Sequence, residues 1–238
     1  MNAETNPETD STFRGGATLL ILGVIAIGAI WYVFLRPPAE KKEPPPTIPL
    51  AAVSDQATIY ELVPGESGVR FTLDELLRGQ PKTVLGVTGL VSGQLALNLD
   101  DLAATQVGVI QANARSFYTD DIFRDEALHT FIIDSLAFPV VAFAPTSIDG
   151  LSGQIGMGET AVFTITGDLT IRDITQEVTF AVTAVPISPT RLEGRASSTI
   201  NRADFDLIIP EVAKVANVDE AVLIEIDFVG MAVGTAVE

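Results

Sequence analysis

The feature that most constrains this chain is a two-residue alternation of apolar and polar side chains, which returns in run after run from residue 54 onward. Read as one run, VLGVTGLVSGQLALNL puts Leu85, Val87, Gly89, Val91, Gly93, Leu95, Leu97 and Leu99 on one face. Gly86, Thr88, Ser92, Gln94 and Asn98 take most of the other. In AVFTITGDLTI, Phe163, Ile165, Leu169 and Ile171 oppose Thr164, Thr166, Asp168 and Thr170. EVTFAVTAV sets Val178, Phe180 and Val182 against Thr179 and Thr183, and RLEGRASSTINR alternates likewise. AVLIEIDFVGM presents Val222, Ile224, Ile226 and Phe228 opposite Glu225 and Asp227. One dry face and one wet face per strand is the pattern of antiparallel sheet. Turn-forming stretches (SGQIGMGE, IRDITQ, ISPTR) separate the runs at hairpin distances. Helical spacing is confined to Asp125–Leu136, stopped by Pro139, and to a short acidic turn near Val212–Ala221. No repeat with a period of 20–50 residues occurs, which excludes solenoids and propellers.

Composition then removes whole classes of function. Of 238 residues, 14 are Lys or Arg and 31 Asp or Glu, a formal net charge of −17. A surface that acidic repels phosphate backbones, so nucleic acid is not an expected partner. The absence of cysteine removes disulfides, thiolate metal sites and thiol catalysis. A single histidine, His129, leaves no His₂ or His₃ metal site within one chain.

The N-terminal part has a different character. Residues 15–35 are uncharged and mostly aliphatic, bracketed by Arg14 and Arg36, with Trp31 and Tyr32 near the end. A helix of that length spans about 31 Å, the thickness of a bilayer core, and aromatic rings favour its interface. The run is longer than the apolar region of a cleaved signal, and no A-x-A-like site follows it, so it reads as an uncleaved single-pass anchor. One basic residue precedes it closely (Arg14) and three follow (Arg36, Lys41, Lys42). By charge alone this weakly favours a cytoplasmic C-terminal part. Next comes a Pro-rich stretch, Pro37 to Pro49, which reads as a stiff or disordered spacer. The expected organisation is a tail (1–14), an anchor (15–35), a Pro-rich linker (36–53) and a β domain (54–238).

Four motifs in that domain follow one another in a recognisable order. They are Gly86-Val-Thr-Gly89 with Ser92-Gly93-Gln94-Leu95, Arg124-Asp125 and Leu128 leading to Phe138-Pro139 and Phe143, Gly167-Asp168-Leu169-Thr170-Ile171 with Thr175, and Ile200-Asn201-Arg202-Ala203-Asp204-Phe205. In these the sequence resembles the YceI-like family of lipocalin-like, polyisoprenoid-binding domains, over nearly all of Gln56–Met231. It departs at Glu66-Ser67, where the family often has His-Ser, and at Asp173, where glycine is common. The resemblance implies an all-β fold: an extended eight-stranded antiparallel barrel with short helices, here preceded by one transmembrane helix. It also implies a hydrophobic tunnel holding an isoprenoid or other long-chain lipid, with no catalysis and no cofactor besides that ligand. Family habit, against the charge count, puts the domain on the extracytoplasmic side of the cytoplasmic membrane. A homodimer stays open.

The residues expected to form the tunnel are those of the dry faces: Val87, Gly89, Val91, Leu95, Phe143, Phe163, Ile165, Leu169, Phe180, Val182, Phe205, Ile224, Ile226 and Phe228, about half of them in contact with ligand. Gly89 and Gly93 are expected to leave lumen space that larger side chains would fill. The competing reading is a barrel filled by its own side chains, whose acidic exterior recruits a protein partner. Neither Ser67 nor Ser116 has a base nearby in sequence. The pairs Asp100-Asp101 and Asp120-Asp121 lack calcium-loop spacing. Gly153-Gln-Ile-Gly156-Met-Gly158 has no following helix to make a phosphate site. His129 reads as a packing or surface residue. Arg124, Asp125, Arg202 and Asp204 are read as Arg–Asp braces or, alternatively, as a polar mouth for a lipid head group.

Overall fold

The computed structural model describes residues 42–51, 53–210 and 215–235. The expected tail, the apolar run 15–35 and the start of the linker lie outside these residues. Among the described residues no helix is long and apolar enough to cross a membrane.

Thirteen strands pair antiparallel in one sheet: β1 (Thr58–Leu62), β2 (Gly68–Leu77), β3 (Gln80–Thr88), β4 (Val91–Ser92), β5 (Gln94–Leu97), β6 (Gln106–Val107), β7 (Ile110–Asn113), β8 (Val140–Asp149), β9 (Ala161–Ile171), β10 (Ile174–Ser188), β11 (Arg191–Asn201), β12 (Val215–Ala216) and β13 (Ala221–Thr235). The hydrogen-bonded path runs β4-β7-β8-β9-β10-β11-β13-β1-β5-β6. It begins and ends on neighbouring pieces of chain, because Gly93 alone separates β4 from β5 and Gly108-Val109 separate β6 from β7. The sheet is therefore curled into a half-barrel with its apolar face inward. The first half of β13 turns away from β1 and pairs instead with β2, which carries β3 and β12. This splays that end of the half-barrel. The five longest expected runs supply β9, β10, β11, β13 and the β3–β5 stretch, and the strand count exceeds eight because the shorter segments are broken by glycines.

The break in VLGVTGLVSGQLALNL has a consequence for side-chain direction. Val84, Gly86 and Thr88 are the buried positions of β3, whereas Leu85 is 48% exposed and Val87 only half-buried. Gly89-Leu90 belong to no strand: the Gly89 carbonyl accepts from Gly65 N–H, and Leu90 N–H donates to Thr88 Oγ1. A break of this kind shifts the two-residue phase, so Val91, Leu95 and Leu97 point inward after it although Leu85 and Val87 do not. Gly93, at φ 156°, bends the chain at the seam, and a Cβ there would run into Ile110.

The helical segment also differs from expectation. It starts earlier, as α1 (Ile122–Ala127), because the Asp121 side chain accepts from the Phe123 and Arg124 amides as an N-cap. It passes into a π turn (Leu128–Ile132) and stops at Asp134, whose φ is 49°. Near the expected acidic turn, residues 215–216 form β12 and 211–214 lie outside the described residues. The Pro-rich residues 42–51, expected to stand free, lie along the sheet. Asn113 Nδ2 donates to the Glu43 carbonyl (2.6 Å), Thr47 Oγ1 to Glu61 Oε1 (2.9 Å), and Pro45 is buried.

Three glycines face aromatic rings and fix how the interior is built. Gly86 pairs in register with Phe71 and Gly194 with Phe228, while Gly167 lies against Phe143. In each case an added Cβ would collide with the ring, and at Gly167 and Gly194 also with a carbonyl of the neighbouring strand. The missing side chain lets a Phe ring lie across the strand, the cross-strand pairing that compensates a strand glycine. Gly167→Ala is therefore expected to lower stability by about 1–3 kcal/mol, the cost of overpacking, read as a lower urea midpoint with unchanged slope.

Candidate ligand cavity

The curled sheet leaves its interior partly empty, in two lobes. The first has about 860 Å³ of atom-free space, mouth included, and is walled by Leu95, Leu97, Phe163, Ile165, Val182, Ala184, Leu192, Ala196 and Phe228 among others. The second has about 1250 Å³ and is walled by Phe71, Leu73, Val84, Leu128, Ile132, Ile133, Val141, Leu169, Ile171, Ile200, Val222 and Ile224 with a few polar groups. Ile110, Phe143, Phe180 and Ile226 wall both lobes and form the boundary between them. The Phe143 and Phe180 rings meet there edge to face, centroids 4.9 Å apart. Pockets that bind small molecules are commonly concave and apolar with few polar groups, and both lobes have that character.

Of the residues expected to form a tunnel, Leu95, Phe163, Ile165, Val182 and Phe228 wall the first lobe, Leu169 and Ile224 the second, and Phe143, Phe180 and Ile226 both. Four are placed elsewhere. Val91 is fully buried in a solid cluster with Leu62, Ala112 and Phe117, and Phe205 is 1% exposed in the core beside the sheet. Val87 points away because of the phase shift, its backbone exchanging two hydrogen bonds with Tyr118. Gly89 sits in the β3–β4 break, where a Cβ would find only ordinary contacts at 3.6 Å and beyond, so it opens no lumen. The glycines that shape the interior are instead Gly86, Gly167 and Gly194.

The sequence reading missed Phe71, Leu73 and the inward side of the helical segment. The signal for the first pair was available in GVRFTLDEL, where Val69, Phe71 and Leu73 alternate, but Glu75 in the next inward place hides the pattern. Glu75 is tolerated there because Arg124 reaches it: Nη2 lies 2.9 Å from Oε1, and the same guanidinium holds Asp120 at 2.7 Å. Arg202 at the same end of the second lobe donates to the carbonyls of Asp219 and Leu207 and pairs with Glu220 at 2.6 Å. The expected Arg–Asp partners are thus exchanged. Asp125 accepts from Thr119, and Asp204 accepts from Asn201.

The remaining polar candidates have local structural work. Ser67 Oγ bonds the Val229 backbone, and Ser116 bonds Thr88 and the Asn113 carbonyl. Asp101 and Asp121 cap short helices. Among the described residues no group of three potential metal ligands converges. On the wet face, Arg70 holds Glu225 (2.7 Å) and Asp227 (2.6 Å), and its hydrogen bond keeps the Glu225 carboxyl below the usual range. His129 contacts Ser135 Oγ at 3.2 Å, and burial, then the positive charge of Lys42, push its pKa down. The folded protein therefore resists a proton that the unfolded chain accepts near pH ~6.5. Stability should fall as pH drops through that value and level off below the folded pKa. His129→Gln should flatten that part of the profile in urea titrations between pH 7.5 and 5.

Comparison with known proteins accords with this architecture. The YceI-like domain family matches residues 60–230. Among solved structures, a polyisoprenoid binding domain from Saccharophagus degradans, implicated in plant cell wall breakdown, superposes with a TM-score of 0.57 at 13% identity. The match covers 73% of this chain and 98% of that one. Burkholderia cenocepacia BcnA superposes with a TM-score of 0.55 at 18% identity over 71% of this chain and 98% of its own. No curated protein sequence matches. With the family's match spanning most of the chain, and a curled antiparallel sheet around an apolar interior, this protein belongs to the YceI-like domain family.

Proposed function

We propose that the protein binds, without catalysis, one isoprenoid or other long-chain lipid in the two-lobed cavity, as a store or carrier at the outer face of the cytoplasmic membrane. The observation that carries this reading is the cavity itself: two adjacent apolar lobes that share Ile110, Phe143, Phe180 and Ile226 as walls, with the charged Glu75, Arg124 and Arg202 lining the second. An elongated, apolar space of this kind suits a flexible chain with a small polar head. The likeness in fold to a polyisoprenoid binding domain supports the same class of ligand.

The energetics suit a carrier. Burying a methylene from water is worth about 0.8 kcal/mol. The lipid's resting place is a bilayer, though, equally apolar, so the exchange is close to balanced and runs in either direction. An anchor formed by residues 15–35 would hold the cavity where its ligand resides. Incubating the detergent-purified full chain with vesicles carrying a radiolabelled polyprenol, then separating protein from vesicles, tests the reading. Label should follow the protein at close to one molecule per chain; label remaining wholly in the vesicles would overturn it.

A further inference from the structure

The segment joining β7 to β8 presents large apolar side chains both inward and outward. Leu128 and Ile132 close the second lobe from within. Outward, Ile122 is 77% exposed, Phe123 75%, Phe131 63% and Leu136 79%. Polar side chains, Glu126 and Thr130 among them, lie between these exposed apolar ones, and protein covers only the inward side. Large apolar side chains gathered on one stretch mark a surface that is covered in use.

Chain connectivity indicates the cover. The described chain begins beside this segment. Asn113, at the end of β7, holds the Glu43 carbonyl, and Lys42 stands near enough to His129 in the π turn to repel its proton. Lys42 is only seven residues beyond Leu35, where the uncharged run 15–35 ends. At no more than ~3.5 Å per residue, covalent linkage keeps that end within about 25 Å of Lys42. A run seated in a bilayer, as proposed above, therefore leaves the β7–β8 segment within tether reach of the bilayer surface. With a net charge of −17 the chain has no general attraction to anionic lipid, so attachment through this face depends on apolar insertion.

We propose that the outward face of the segment, formed by Ile122, Phe123, Phe131 and Leu136, docks into the leaflet beside the anchor and opens the second lobe directly to lipid. The inference rests on the anchored lipid-carrier reading, and it adds the entry route. Inner and outer faces of the segment then form one apolar path from acyl chains to the cavity, and no lipid need cross water.

Because the sequence has no cysteine, single sites can be labelled in the full chain. Phe123→Cys and Phe131→Cys sit on the proposed face, and Thr190→Cys, in the turn between β10 and β11, serves as the reference. Each would carry a bimane label, with the protein reconstituted in phosphatidylcholine vesicles. The two lid labels should be quenched by nitroxide-bearing lipid and be at least about fivefold less accessible to iodide than the reference, as for an interfacial apolar face. Equal iodide access at all three sites overturns the proposal. So does iodide shielding without nitroxide quenching, which would mean a protein cover. Extracting bound isoprenoid from the same samples separates the two readings. Water-exposed lid labels on lipid-filled protein refute only the docking, whereas membrane-seated labels on empty protein refute only the carrier. As a second variant free of label, Phe123→Ser/Phe131→Ser should slow filling from vesicles about tenfold with unchanged final occupancy, since the two side chains do not wall the cavity.

Discussion

Arg124→Ala is expected to destabilise the fold by about 3 kcal/mol, because it strands a carboxylate that the protein has almost removed from water. The Glu75 side chain is 6% exposed and that of Arg124 19%. Taking away one partner of such a pair costs more than the pair contributes, since the remaining charge keeps its desolvation penalty without compensation. Adding Glu75→Gln should recover most of the loss, to within about 1 kcal/mol of the parent, because a neutral amide tolerates the site far better than a lone carboxylate. Both can be read from urea unfolding at constant slope. The double variant also decides between the two roles considered for Arg124. It is already engaged by Glu75 and Asp120, so a bracing role predicts unchanged lipid content in the recovered double variant. Loss of lipid there would instead assign Arg124 to the ligand's head group.

Filling the first lobe should have the opposite profile. Ala184 and Ala196 both wall it, on the adjacent strands β10 and β11, and about 860 Å³ of atom-free space lies before them. In Ala184→Phe/Ala196→Phe the rings crowd the lobe and its mouth, so the fold should survive with a loss of no more than about 1–3 kcal/mol, the cost of overpacking. Bound lipid should fall more than tenfold. The magnitude follows from the near balance between cavity and bilayer: when the net transfer energy is close to zero, losing about 1.4 kcal/mol, fewer than two methylenes of contact, already shifts occupancy tenfold. Val162→Phe, on the outward and 69% exposed side of β9, provides the matched control with lipid unchanged. Unaltered lipid in the filled variant would place the ligand wholly in the second lobe.

How far the sequence showed this arrangement can be traced in particular strands. In β9, β10 and β13 each alternate residue met the same environment along an unbroken strand, and the inward sets of Phe163, Ile165 and Leu169, of Phe180 and Val182, and of Ile224, Ile226 and Phe228 were legible. Across Gly89-Leu90 the periodicity looked continuous, but a two-residue break inverted it, and Val87 and Gly89 were misplaced for that reason. Cross-strand partners are invisible to periodicity, so nothing indicated that Gly86 and Gly194 matter because Phe71 and Phe228 lie opposite them. Glu75 in an inward place broke the apolar pattern of β2, and only its pairing with Arg124, 49 residues later, explains it. The β7–β8 segment was partly hidden too: its helical spacing was legible over Asp125–Leu136, but Asp121 as N-cap moved the helix start to Ile122.

Native mass spectrometry reads out whether the apolar cavity holds a long-chain lipid. The full chain would be purified from bacterial membranes, released from detergent in the spectrometer, and extracted with organic solvent in parallel. Lipid binding predicts a bound mass of several hundred daltons, on the scale of a pocket-bound ligand, that extracts as a polyprenyl or other long-chain lipid and is lost in Ala184→Phe/Ala196→Phe. A ligand-free mass that persists after incubation with isoprenoid-loaded vesicles would contradict it.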